Sequence, residues 1–84
     1  MRTARNETKA QILYTFATLG PMCTPDLAEV LGISEHWAYE ACRRYWKQGL
    51  LYKEGGEFKL SPRGYERLAY LWGVSEDALD IVLS

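Results

Sequence analysis

Between Ser34 and Gly49 the chain reads SEHWAYEACRRYWKQG, which gathers His36, Trp37, Tyr39, Glu40, Cys42, Arg43, Arg44 and Lys47 on one short stretch. Nucleophilic chemistry would need the thiol and the imidazole on the same side. Cys42 instead follows Ala38 at i+4 and precedes Tyr45 at i+3, on an apolar stripe that points away from His36. Metal binding fares no better, because Cys23 and Cys42 with His36 supply only three candidate ligands and no CxxC pair exists. There is also no paired-acid motif, no glycine-rich phosphate loop and no HExxH. The expectation is a protein that is not an enzyme and needs no cofactor. Cys23 and Cys42 read as two reduced structural thiols, with an intramolecular disulfide as the alternative in a hyperthermophilic source.

Electrostatics remains. His36, Glu40, Arg43 and Lys47 form the stripe opposite Ala38, Cys42 and Tyr45, flanked by Trp37 and Arg44. Such a face suits an anionic partner, or it is a solvated surface balanced by Glu40. A net charge of −1 speaks against a nucleic-acid binder, but the charge is unevenly spread. Residues 1–67 hold ten basic and eight acidic residues, a sum of +2, while 68–84 hold only Glu76, Asp77 and Asp80, a sum of −3. An acidic tail thus masks a mildly basic body.

The elements that must carry this face are legible from local signals. Asn6 is expected to cap a helix over about 7–19 with Ile12, Leu13, Phe16 and Leu19 as its apolar stripe, ended by Gly20-Pro21. Thr24-Pro25-Asp26 starts a second helix, 25–31, that buries Leu27, Ala28, Val30 and Leu31 before Gly32 breaks it. Ser34 caps a third, 35–48. Two extended runs around Gly55-Gly56 predict a hairpin over 50–60. Ser61-Pro62 opens a fourth helix, 62–72, with Tyr65, Leu68, Ala69 and Trp72 inward and Tyr70 and Leu71 outward. Ser75 precedes a last helix, 76–83, with Ala78, Leu79, Ile81 and Val82 available for packing. The predicted class is mainly α with a small antiparallel β-hairpin: one domain over 1–84 whose residues 73–84 are an acidic helical extension. No apolar run approaches the ~20 residues of a membrane span. The polar start MRTARNETK is no secretory signal, so a cytoplasmic protein is expected.

Within that order, TPDLAEVLGISEHWAYEACRRYWKQGLL resembles the helix-turn-helix of MarR- and PadR-like bacterial and archaeal transcriptional regulators. The matching elements are Leu27-Ala28, Leu31-Gly32-Ile33-Ser34 and Gly49-Leu50-Leu51. FKLSPRGYERL is similar to the strand-to-helix junction after the wing in the same families. The resemblance, over about residues 8–72, implies a winged helix-turn-helix with 35–48 as recognition helix in the major groove of double-stranded DNA. His36, Trp37 and Glu40 then fall near base edges, where Glu40 can accept from cytosine N4, and Tyr39 is a further DNA-binding residue. Arg43 is placed to bond guanine in bidentate fashion, and Arg44 and Lys47 to reach phosphates. Lys53 and Lys59 on the wing and Arg63 after it are further DNA contacts. So small a domain gains from pairing, and Tyr14, Tyr70, Leu71, Leu79 and Val82 are the expected homodimer interface. The implied protein regulates transcription by occupying a DNA site, with no small-molecule effector evident. The rival is a winged helix for protein assembly that uses Trp37, Tyr39 and Trp46 as its contact patch.

Overall fold

The computed structural model describes the backbone of residues 5–83 and the side chains of residues 8–83. Helix α1, Arg5–Leu19, already contains Asn6, so the expected cap lies inside the helix. Its buried stripe is Ala10, Ile12, Leu13 and Phe16. Leu19 stays exposed, contrary to expectation, because the chain turns at Gly20-Pro21 and sends Met22 into the core in its place.

Helix α2, Thr24–Leu31, is capped one residue earlier than the sequence implies. Cys23 is the extended N-cap residue, and its thiol donates to Asp26 Oδ2 at 3.2 Å, while Thr24 and Pro25 form the first turn. Leu27 and Ala28 are buried and Leu31 is partly so, but Val30 is exposed. This two-turn helix packs mainly against the helix that follows, so its buried arc is too narrow to include Val30. Gly32, at φ 68°, ends it, and the Ile33 N–H returns to the Ala28 carbonyl at 3.0 Å.

Helix α3, Glu35–Lys47, starts where Ser34 Oγ accepts the Trp37 N–H at 3.0 Å. Ala38, Ala41, Cys42 and Tyr45 are its buried face. Strands β1, Leu51–Glu54, and β2, Glu57–Leu60, pair antiparallel with Leu51 opposite Leu60 and Lys53 opposite Phe58. Gly55 and Gly56 take φ of 56° and 90°, the two positive values that a tight two-residue hairpin turn requires. Met22 joins as a one-residue bridge: its N–H donates to the Phe58 carbonyl at 3.1 Å and its own carbonyl accepts the Phe58 N–H at 2.9 Å.

Helix α4, Pro62–Trp72, packs along α1, and α5, Glu76–Leu83, folds back onto α4. Ser61 is buried and does two things. Its Oγ accepts the Gly64 N–H at 3.0 Å and donates to the Gly49 carbonyl at 2.7 Å, tying the start of α4 to the exit of α3. Three expectations change at this end. Leu79, expected at a dimer interface, is fully buried because α5 folds it into the core. Leu71, expected outward, is half-covered against that same core. Trp72, expected inward, is 41% exposed and lies on Tyr14 instead, ring centroids 5.0 Å apart. Leu79 and a Tyr65–Asp80 hydrogen bond dock α5 on the rest of the chain. Among the described residues, no helix is long and apolar enough to cross a membrane.

Candidate nucleic-acid interface

The Ser34 cap and the buried arc of Ala38, Ala41, Cys42 and Tyr45 orient α3 so that His36, Trp37, Tyr39, Arg43, Arg44 and Lys47 are exposed, with Glu40 half-buried among them. Burial pushes the Cys42 thiol up to about 12, and it also raises the Tyr45 phenol. Both groups are held neutral on the core side, opposite the exposed charges. Among the described residues, Arg43, Arg44 and Lys47 form no ion pair with Glu40 or any other carboxylate. At the other end of the helix, His36 and Tyr39 line a shallow depression with Thr24 and Glu35.

The hairpin lysines diverge. Lys53 shares the inward face with Leu51 and Phe58, and its Nζ lies 5.4 Å from the centre of the Trp46 ring and 6.0 Å from that of Phe58. It pins the hairpin to α3 by a cation–π contact. Lys59 pairs with Tyr52 on the opposite face. At the turn, Glu54 stands directly opposite Glu57, so the hairpin tip is acidic. Arg63 is brought in from α4, where its Cδ covers Gly49 at the exit of α3.

Two cations absent from the sequence expectation join this surface. Lys9 of α1 donates through Nζ to Gln48 Oε1 at 2.8 Å and sits 5.4 Å from the centre of the Tyr45 ring. Partial burial, then the charges of Arg67 and Arg44, hold its ammonium below the ordinary lysine range. Arg67 of α4 lies 6.0 Å from the centre of the Tyr70 ring. Positive charge therefore gathers at the C-terminal end of α3, from Arg43, Arg44 and Lys47 with Lys9, Arg63 and Arg67. The N-terminal end, beside Glu35 and Glu40, is the less basic one. No local signal reveals Lys9, which meets a residue 39 positions away.

No known protein family and no curated protein matches this chain. The chemistry of α3 therefore rests on its own residues. Among the described residues no three His, Cys, Asp or Glu side chains converge to hold a metal ion. Of the side chains expected at a dimer interface, Tyr14, Tyr70 and Val82 are exposed, Leu71 is half-covered and Leu79 is in the core.

Proposed function

We infer that this chain is a winged helix-turn-helix protein that binds double-stranded DNA with α3 in the major groove, as a small dimeric transcriptional regulator of the MarR- and PadR-like kind. The observation that carries the reading is the exposed row Arg43, Arg44 and Lys47, unpaired among the described residues, on the helix that follows a three-residue turn, Gly32-Ile33-Ser34. The order of elements supports it: α1, the Met22 bridge, α2, α3, the hairpin and α4 follow the winged-helix sequence. In this arrangement Arg43 reads a guanine through O6 and N7, while Arg44 and Lys47 hold phosphates. The hairpin takes a lesser part than in a protein with a basic wing, because its tip carries Glu54 and Glu57.

Fluorescence anisotropy on a mixed-sequence duplex at two salt concentrations tests the reading. Binding is expected to weaken log-linearly with salt, by roughly 0.9 in slope for each phosphate engaged. Arg43→Gln is expected to relax base preference by about 1–3 kcal/mol at one position. No binding at low salt would sink the DNA reading. It would favour the second one, protein assembly, whose support is the 42–43% exposure of Trp37, Tyr39 and Trp46 on the same helix.

A further inference from the structure

The exit of α3 is a meeting point for three helices. Ser61 ties the start of α4 to Gly49, and Lys9 ties the first half of α1 to Gln48. Both helices then run the same way, because further along each of them Tyr14 stacks on Trp72. Lys9 lies five residues before Tyr14 and Arg67 five before Trp72, about 7.5 Å back along either axis, so the two cations stand at one level. The Tyr45 ring lies beneath Lys9, and Arg44 is the adjacent residue of α3. Glu66 is the nearest acid in sequence and lines an open depression with Arg67 and Tyr70. Among the described residues, it pairs with none of the three cations.

We propose that Lys9, Arg44 and Arg67 form a binding site for a phosphoryl oxyanion at the corner where α1, α3 and α4 meet, and that on DNA this site holds a backbone phosphate beyond the groove occupied by α3. Three like charges at one corner, which pair with no carboxylate among the described residues, repel one another, and an anion between them removes that repulsion. Burial is the main reason that the Lys9 ammonium is lowered, and the smaller contributions of Arg67 and Arg44 are that repulsion felt in the free protein. Lysine and arginine side chains on a partly dry aromatic floor are the chemistry that phosphate oxygens select. The DNA half of the proposal rests on the function inferred above, whereas the oxyanion site itself does not.

Amide NMR titration with sodium pyrophosphate, and anisotropy with a mixed-sequence duplex, separate the two. In the wild-type chain, pyrophosphate is expected to shift the amides around Lys9, Gln48 and Arg67 saturably. Lys9→Gln with Arg67→Gln abolishes those shifts, whereas Lys9→Arg with Arg67→Lys keeps them and serves as the folded, charge-matched control. The Gln pair also makes the duplex salt slope shallower, by roughly 0.9 for each phosphate that is no longer neutralised. Saturable pyrophosphate shifts without duplex binding support the site as one for a free phosphate compound and overturn the DNA reading. Duplex binding with an unchanged slope and no pyrophosphate shifts overturns the site and leaves the DNA reading standing. Silence from both probes overturns both.

Discussion

At the scale of single residues, Gly64 shows how a small side chain can be a structural requirement. It is a helical residue in α4, yet a Cβ there would run into the Leu50 carbonyl oxygen and come within 2.7 Å of Leu60 Cδ1. The backbone of α4 approaches the strand entry so closely that only glycine fits. Gly64→Ala is expected to destabilise the fold by about 1–3 kcal/mol or more, although alanine is the better helix former. Urea unfolding at constant m-value measures it, and a neutral or stabilising result would contradict this packing. Arg43 offers the opposite case. It is exposed and unpaired among the described residues, so its truncation should leave stability nearly unchanged while altering duplex discrimination.

At the scale of elements, the helix starts carry different loads. Ser34 caps α3 with one hydrogen bond at the surface, to the Trp37 N–H. Ser61 is buried and makes two, to the Gly64 N–H and the Gly49 carbonyl, so it joins α3, the hairpin exit and α4. Ser34→Ala should cost about 1 kcal/mol as a lost cap. Ser61→Ala should cost more, about 2–3 kcal/mol, because the buried Gly64 amide loses its partner and the Gly49 carbonyl loses its tie to α4 as well. Thermal or urea unfolding of the two variants side by side checks the ranking. Equal losses would mean that the α3–α4 tie contributes nothing beyond a cap.

For the whole molecule, the shifted titrations set the behaviour in alkali. Burial pushes the Cys42 thiol from its ordinary 9.0 up to about 12, and it raises the Tyr45 phenol. The hydrogen bond to Asp80 pushes Tyr65 from 10.0 up to about 12. All three hold their protons more tightly when folded, so their contribution is complete below the unfolded values and is lost as pH climbs from about 9 toward 12. Lys9 acts in the reverse sense: its lowered value penalises the fold while charged, and that penalty fades as pH rises toward 10.5. Three groups oppose one. The urea midpoint should therefore fall above about pH 9, and a flat profile to pH 11 would contradict the burial of Cys42 and Tyr45. The same scale decides self-association. We propose that the stacked Tyr14–Trp72 pair, with exposed Tyr70 and Val82, covers a second copy. Sedimentation velocity should find a dimer that Tyr70→Glu with Val82→Glu dissociates, whereas a wild-type monomer at high concentration would rule it out.

Much of this protein follows from local chemistry. Ser34 and Ser61 cap, Gly32 terminates and Gly55-Gly56 turns because each effect acts within about four residues. The exposure of Arg43, Arg44 and Lys47 follows likewise from the 3.6-residue period that buries Ala38, Cys42 and Tyr45. Only the packed chain decides where a stripe stops. Val30 and Leu19 continue an apolar pattern but find no surface to cover them, and Trp72 stacks on Tyr14 outside the core. Leu79 is the converse, an apolar residue whose burial depends on α5 folding back. The charge pattern divides in the same way. The row on α3 belongs to one helix and can be read from its period. Lys9 and Arg67 join it only because Gln48, Gly49 and Ser61 bring three helices to one corner, and no rule of local spacing encodes contacts between positions 39 residues apart.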